Sequence, residues 1–343
     1  MLIGASSGGV VAPTLTIGST TNYNQNSAVF NATVNTTGNR NITLVEFQYS
    51  RTADFSSLNS AWLTASTNST IAQGATSTAT TCNASSLPAE GTVYYVRFRV
   101  TNSSGFVTTS SIGGSFTTYS LKAYQTFNSS STWTNPRTTS GTSGLAITSI
   151  QDLLVVGGGA PGAGDDRTGG GGGGGAVTTS ASISVGSSVV VTIGAGGSGY
   201  YGFGATLVTA TASSIAGTTT VTANPGGYAY GSGSGDRGGD SGNGYSGGLA
   251  NGYSGGGGGG AGGAGNNAPS TSVGGNGGAG VSGYGGGGGG SDPNSNIAYL
   301  DPNHGTPTSA GPANTGQGGA GIPDQFGGRA GGSGYAQFRY YGP

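Results

Sequence analysis

The clustering of glycine is the feature that most restricts how this chain can fold. Glycine accounts for 77 of the 343 residues, and unbroken runs occupy 169–175, 255–260 and 285–290. Each glycine disfavours a helix by roughly 1 kcal/mol relative to alanine, so these runs exclude helical structure. Strong helix formers are also scarce, since Lys122 is the only lysine and 6% of the residues are charged. The sequence therefore predicts an all-β protein.

One segment contains a spacing typical of dinucleotide-binding loops. A strand-like run, Leu153–Val156, leads into Gly157, Gly159 and Gly162 in a G-x-G-x-x-G pattern. Such a loop binds pyrophosphate because its glycines open a helix with a free N-terminus. The glycine run 169–175 forbids that helix, so we reject the nucleotide-binding interpretation and expect no cofactor.

Residues that carry catalysis or bind metals are sparse. Cys82 and His304 are each the only residue of their type. We expect Cys82 to be a buried, inert thiol on a strand and His304 to be a loop residue in the turn-rich DPNHGTP. Asp236 and Asp240 lie in a stretch like that of glycine/aspartate calcium-binding repeats, but the repeat is not sustained, so we predict no metal site. These observations predict a protein that is not an enzyme.

Charge and hydropathy exclude two further classes of partner. The formal net charge is −1 and the ten basic residues are scattered singly, which argues against a nucleic-acid surface. No apolar run approaches the roughly 20 residues that cross a bilayer, so we expect no membrane span. The N-terminus lacks the basic and apolar regions of a signal peptide, and we expect synthesis in a cytoplasm without classical secretion.

The first third of the chain predicts a small antiparallel sandwich. Residues 13–118 contain short alternating segments separated by turns, and residues 1–12 are interpreted as an attachment arm. In Thr92–Asn102 one face carries Tyr94, Val96, Phe98 and Val100, and the other carries Tyr95, Arg97 and Arg99. We expect the first face to be buried and the second to be solvated, with a contact patch as the alternative.

A family resemblance supports this interpretation. Residues 87–105, LPAEGTVYYVRFRVTNSSG, are similar to the L-x-P-G-T-x-Y-x-V-R-V-R-A-x-N-x-x-G signature of fibronectin type III domains. The resemblance implies an immunoglobulin-like sandwich in which the Tyr94 hydroxyl bonds to the preceding backbone and Leu87 packs beneath the ring. The usual buried tryptophan is absent from the segment 28–34, and Trp62 is expected to replace it. Such domains serve as spacers or binding modules.

Residues 119–343 predict a second β domain with a glycine-rich insertion. Apolar segments concentrate at its two ends, including Tyr335–Tyr341, whereas Gly, Ser, Asn and Tyr dominate about 226–334. This distribution predicts one closed β core from which the insertion projects. The insertion is either disordered, which is the default for its composition, or built of polyglycine-II-like helices that pack through backbone hydrogen bonds. Long glycine runs joined by turns favour the second alternative.

Four ordered motifs resemble a second family. They are FNSSSTWTNP at 127–136, LLVVGGG at 153–159, VGSSVVVTIGAGG at 185–197 and GGSGYAQFRYY at 331–341. They are similar to the glycine-rich domain at the ends of bacteriophage tail fibres and other virion appendages. The resemblance implies a jelly-roll-like core with glycine-helix insertions, in which Leu153–Val156 is a core strand and Trp133 is structural. It also implies a homo-oligomer, with threefold assembly expected.

Aromatic residues in glycine-rich surroundings are the candidate receptor contacts. They are Tyr200, Tyr201, Phe203, Tyr228, Tyr230, Tyr245, Tyr253 and Tyr284. Tyrosine among Ser, Gly and Asn is typical of antibody contact loops, in which rigid rings supply contact area at little entropic cost. The alternative is that these rings fill gaps between glycine helices.

Taken with the resemblance, these features predict a non-enzymatic structural protein on the surface of a tailed-phage virion. The leading hypothesis is a tail fibre or adhesin component that presents its glycine-rich domain to the host. The alternative is a capsid decoration or head-fibre protein, and a bacterial surface adhesin is a third. Expected partners are other virion proteins and a host-cell glycan or outer-membrane protein.

Overall fold

The computed structural model describes most of the chain. The described residues are 9–56, 60–141, 144–165, 169–198, 200–201, 208–229, 237–251, 254–270, 273–292, 295–298, 310–323 and 328–343. The regular secondary structure of these residues consists of β-strands, which confirms the all-β prediction. No helix capable of crossing a bilayer is found in these ranges.

The chain forms two compact units. The first comprises Met1–Lys122, Arg137–Ile147 and Tyr340–Pro343, and the second comprises Ala123–Pro136 and Thr148–Arg339. The first unit thus contains two later segments that the sequence analysis had assigned to the second domain. Of the predicted arm, residues 1–8 lie outside the described residues, whereas the Gly9 carbonyl and the Val11 N–H are hydrogen bonded to the Asn39 side chain.

Two antiparallel sheets form the core of the first unit. Its strands are β1 (Thr14–Ile17), β2 (Ala28–Thr36), β3 (Ile42–Ser50), β4 (Leu63–Thr64), β5 (Thr76–Ala84), β6 (Val93–Asn102), β7 (Val107–Thr109), β8 (Phe116–Thr117) and β9 (Ser120–Leu121). One sheet has the order β1-β2-β5, and the other has the order β4-β3-β6-β7 with β8 also paired to β6. Alternation along β2, β3 and β6 buries Phe30, Phe47 and Phe98 between the sheets, where the Phe47 and Phe98 ring centroids lie 5.5 Å apart.

Tyr94 anchors one end of this sandwich. Its ring is fully buried, and its hydroxyl accepts a hydrogen bond from the Ala89 N–H at 3.1 Å and donates one to the Ala89 carbonyl at 3.3 Å. Leu87 is buried in the same core, together with Val96. A polar group buried with its hydrogen-bond partners satisfied costs little, so this ring ties the turn before β6 to the core.

Trp62 does not lie in the core, and the expectation that it replaces a buried tryptophan is wrong. Its ring centroid lies 4.1 Å from the Arg99 guanidinium carbon and 5.4 Å from that of Arg97, on the outward face of β6. Arg99 also forms an ion pair with Glu46, with 2.8 Å between Nε and Oε2. The reason is that β4 pairs with the edge of β3 just after Trp62 and carries it over the outward side chains of β6.

A second two-sheet sandwich forms the core of the second unit. Its strands are β10 (Gln125–Phe127), β11 (Ser131–Thr134), β12 (Ser149–Val156), β13 (Ala163–Asp165), β14 (Val177–Ser184), β15 (Ser188–Thr192), β16 (Tyr200–Tyr201), β17 (Ser213–Ala216), β18 (Thr220–Ala223), β19 (Ser291–Asp292), β20 (Ser295–Ala298), β21 (Ile322–Pro323) and β22 (Tyr335–Arg339). The four-stranded sheets β10-β22-β12-β14 and β11-β15-β17-β18 have the two-layer arrangement expected of a jelly-roll-like core. Neither sheet closes on itself among the described residues, so the expectation of a closed core is wrong in that respect.

The last strand of the second unit lies inside its core, as the sequence predicts. β22 pairs with β10 on one side and with β12 on the other. Phe338 on β22 is fully buried, with ring centroids 5.4 Å from Phe127 and 5.5 Å from Trp133 of the opposite sheet. The four residues after β22 belong to the first unit, where β23 (Tyr341–Gly342) pairs with β9.

Glycine segments leave this core at three places instead of one. They connect β12 to β14, β15 to β17, and β18 to β22, whereas the sequence analysis placed the insertion at about 226–334 alone. Leu153–Val156 is a core strand that runs directly into the first of these segments, which confirms that part of the prediction. Short strands also pair here, in the parallel order β16-β13-β21 and in the hairpin β19-β20.

The run 169–175 is a glycine helix surrounded by six other segments. The N–H groups of Gly171, Gly172 and Gly173 donate to the carbonyls of Gly256, Gly319 and Gly227 at 2.8–3.0 Å. The N–H of Gly174 then donates to Gly259, in the same segment as Gly256, and the N–H of Gly175 donates to Gly316, in the same segment as Gly319. The carbonyls of 169–174 accept from three further segments, at Ser291 and Gly288, at Ala163 and Ala160, and at Gly239 and Gly242. The same neighbour recurs every third residue, which is the periodicity of a three-residue extended helix. The described part of the insertion is therefore polyglycine-II-like.

Only glycine fits at the centre of this packing. A Cβ atom added to Gly173 would lie 1.9 Å from the Asp240 carbonyl oxygen, and one added to Gly258 would lie 2.1 Å from the Gly172 carbonyl oxygen. Both atoms that would be struck belong to backbones held by hydrogen bonds on every side. The absence of side chains is therefore what allows the segments to approach closely enough to bond.

Candidate functional site: a groove over β12 and β22

An open groove of about 660 Å³ lies on the outward face of the sheet β10-β22-β12-β14. Its volume falls within the roughly 300–1,000 Å³ of typical small-ligand sites. The residues that supply its polar groups and rings include Tyr124, Asp152, Thr179, Tyr284, Gln337 and Arg339. The groove therefore combines rings, a charged pair and amide or hydroxyl groups on the rigid core of the second unit.

A β-bulge turns Asp152 toward this groove. Ile150, Leu153 and Val155 face the core and are at most 2% exposed, so two consecutive residues, Gln151 and Asp152, must both face outward. The register between β12 and β22 accordingly shifts between Gln151 and Leu154. Asp152 has a φ of 52°, in the left-handed region that non-glycine residues rarely adopt. Bulges commonly redirect a side chain beside a functional site, and strained backbone is concentrated at such sites.

The Arg339 side chain holds the Asp152 carboxylate in place. Arg339 Nε donates to Asp152 Oδ2 at 2.9 Å, and Nη2 donates to the same oxygen. Asp152 Oδ1 makes no hydrogen bond within the described part of the chain. The Arg339 guanidinium carbon also lies 4.7 Å from the Tyr124 ring centroid. One carboxylate oxygen and one ring are therefore fixed in place but open to the groove.

A second group of side chains orders the opposite part of the groove. The Tyr284 and Tyr335 rings stack with 5.4 Å between centroids and 11° between planes. Burial, with a smaller effect from Tyr284, raises the pKa of Tyr335, so its hydroxyl stays protonated and donates to Gln337 Oε1 at 2.8 Å. The Gln337 Nε2 group has no partner among the described residues. It is a donor in the groove that Asp152 also lines.

The structure brings one of the predicted aromatic contacts into the groove. Tyr284 lies there, half-buried against Tyr335, whereas Tyr228 and Tyr245 are 37% and 44% exposed elsewhere. Phe203, Tyr230 and Tyr253, and the side chains of Tyr200 and Tyr201, lie outside the described residues. Among the described rings, packing and exposure therefore both occur.

Sequence reasoning missed the other groove residues. Tyr124, Asp152, Gln337 and Arg339 were not among the candidates, although the sequence carries one signal for them. Ile150 and Leu153 are three positions apart, whereas Leu153 and Val155 are two apart, and this break in the period of a strand marks the bulge.

Two of the residues considered for catalysis and metal binding, Cys82 and Asp240, lie in the described ranges. Cys82 is 1% exposed, and burial raises the pKa of its thiol to about 11, which confirms the expected buried, inert cysteine. Asp240 forms an ion pair with Arg237 at 2.7 Å and accepts from the Gly247 N–H at 3.0 Å. No cluster of three or more His, Cys, Asp or Glu side chains suited to a metal occurs in the described ranges. His304 and Asp236 lie outside them.

These features define an all-β protein in which a lattice of glycine helices is built onto a two-sheet core with a surface groove. The glycine-rich domain family matches residues 130–341, and the chain belongs to that family. Comparison of the chain with the curated proteins and with the solved structures found no match.

Proposed function

We propose that this protein is a non-enzymatic component of the surface of a tailed-phage particle and that its glycine-rich unit binds a receptor on the host cell. The observation that carries the binding role is the groove, which is lined by Asp152 with its left-handed backbone and by the rings of Tyr124 and Tyr284. Polar groups fixed on a rigid sheet lose little conformational entropy when a ligand binds. The resemblance of four motifs to those of virion appendage proteins supports the location.

The first unit is proposed to be a fibronectin type III-like spacer or attachment module. The hydrogen bonds between Tyr94 and Ala89 support this assignment, as do the three-stranded sheet and the sheet built around β3 and β6. In this proposal the unit contacts other virion proteins, and the chain assembles with further copies of itself, as a trimer.

Labelling and binding with the full chain test this function. Antibodies raised against the full chain should label the tails of purified particles in electron micrographs, and fluorescent full chain should bind the cells that those particles infect. Label on capsids without cell binding would favour the decoration alternative. Particles that carry no label would contradict the virion assignment.

A further inference from the structure

We propose that the groove over β12 and β22 binds a neutral oligosaccharide through sugar hydroxyls that bond to Asp152 and Gln337. This inference rests on the proposed receptor recognition for its biological target, and it chooses a glycan over a protein as the receptor. It is carried by the bulge at Asp152, by two polar atoms that have no hydrogen-bond partner among the described residues, and by the rings of Tyr124 and Tyr284.

The hydrogen-bonding groups of the groove suit the hydroxyls of a sugar. A hydroxyl both donates and accepts, so a ligand with several hydroxyls can use an acceptor and a donor that line the same groove. Asp152 Oδ1 supplies the acceptor and Gln337 Nε2 supplies the donor, and neither has a partner within the described part of the chain. Arg339 holds the other carboxylate oxygen of Asp152, and the Tyr335 hydroxyl holds the amide oxygen of Gln337. Each side chain is therefore oriented before a ligand arrives.

The charge of the groove favours an uncharged ligand. Arg339 and Asp152 neutralise each other, with Arg339 Nε 2.9 Å from Asp152 Oδ2. An anion such as a phosphate or a sulfate would meet the Asp152 carboxylate, and a cation would meet the Arg339 guanidinium. A neutral polyol meets neither repulsion and gains charge-assisted hydrogen bonds to the carboxylate.

The rings supply the apolar contact that a pyranose needs. One face of Tyr124 is covered by the Arg339 guanidinium, yet the residue is 43% exposed, so much of the ring remains open. Tyr284 is supported from behind by Tyr335. Supported aromatic rings offer a flat apolar face with little entropy left to lose, and they suit the C–H face of a sugar.

Oligosaccharide binding by the full chain and its groove variants tests the inference. The probe is an array of neutral and anionic oligosaccharides, followed by calorimetric titration of whichever one is retained. We expect a neutral oligosaccharide to be retained and its binding to weaken by about tenfold or more in each groove variant. Asp152→Asn loses a hydrogen bond to a charged group, and Tyr124→Ala loses the ring that packs against the sugar. Asparagine tolerates a positive φ, so Asp152→Asn keeps the bulge. Tyr245→Ala is the matched control, because Tyr245 is 44% exposed and lies outside the groove, and its affinity should not change.

Three results would overturn the glycan proposal: retention of no oligosaccharide, retention of anionic ones alone, or unchanged affinity in both groove variants. Cell binding separates this failure from failure of the proposed function. If the full chain binds cells after periodate has cleaved their vicinal diols but not after protease treatment, the receptor is a protein and receptor recognition stands. If a neutral oligosaccharide binds in the groove but no cells do, the glycan inference stands and the host-recognition role fails.

Discussion

At the scale of single residues, the space left by neighbouring backbones decides where glycine is required. Gly173 and Gly186 are both in the second unit, but a Cβ atom added to Gly173 strikes a carbonyl oxygen at 1.9 Å, whereas one added to Gly186 meets no atom within 4 Å. Composition alone cannot make this distinction, because the two residues are identical in the sequence. Two of the lattice neighbours of Gly173, Gly227 and Asp240, come from chain segments more than 50 residues away.

We therefore predict opposite outcomes for two alanine substitutions. Gly173→Ala should lower the free energy of unfolding by about 3 kcal/mol or more, the upper range for overpacking, because the struck atom is a backbone oxygen that cannot rotate away. Gly186→Ala should change it by less than about 1 kcal/mol and in the stabilising direction, since it removes freedom from the unfolded chain. Denaturant titration of both variants measures the difference. Equal stabilities would contradict the lattice.

Cys82 gives a residue-scale prediction for pH. Burial raises the pKa of its thiol from 9.0 to about 11, so between these values the unfolded chain has released a proton that the folded chain still holds. The stability that this group contributes is present below pH 9 and is lost as pH rises toward 11, by about 2 to 3 kcal/mol.

Buried tyrosines titrate in the same direction, so the measurement is a difference between two proteins. Burial also raises the pKa of Tyr49, Tyr119 and Tyr335. The unfolding free energy of the native chain should fall more steeply between pH 9 and 11 than that of Cys82→Ala, in which only the tyrosines remain. Parallel profiles would show that the thiol is not buried.

At the scale of elements, the C-terminal strand is the part on which the second unit depends. β22 lies between β10 and β12, so its loss would unpair both neighbours and remove Phe338 from the core. We predict that deletion of 335–343 makes the glycine-rich unit sensitive to protease under conditions in which the full chain is resistant. A chain shortened only by the exposed Pro343 should behave as the full chain does. A resistant fragment from the longer deletion would show that β22 is dispensable.

Alternation predicted the strands well, but it could not predict how they align. The burial of Tyr94, Val96 and Phe98 follows from a period of two within β6 alone. The direction of the Asp152 side chain depends on the register of β12 against β22, a strand nearly two hundred positions later in the chain. A local pattern contains no information on that register, so the groove could not be assembled from the sequence.

At the scale of the whole molecule, the glycine runs predicted the kind of packing but not its connections. The runs 169–175 and 255–260 were recognised as extended helices, and the structure bonds them to each other at Gly171 and Gly256 and at Gly174 and Gly259. The β core determines which glycine segments become neighbours, because it fixes where each of the three connections begins and ends. Glycine segments have no side chains to encode a partner, so the core must supply that information.

This dependence makes amide exchange the decisive measurement on the whole molecule. The N–H groups of Gly171 to Gly175 are buried and donate to carbonyls of other glycine helices at 2.7–3.0 Å, so exchange requires the lattice to open. We predict protection of at least about a thousandfold over the unfolded chain, as expected for a domain stable by about 5 kcal/mol or more. Mass spectrometry should find the same degree of protection for the amides of the core strand β12. Gly173→Ala should lower the protection by about a hundredfold or more, as a loss of about 3 kcal/mol implies, whereas Gly186→Ala should retain it. Exchange within seconds in the unaltered chain would mean that the glycine segments are tethered to the core without being packed.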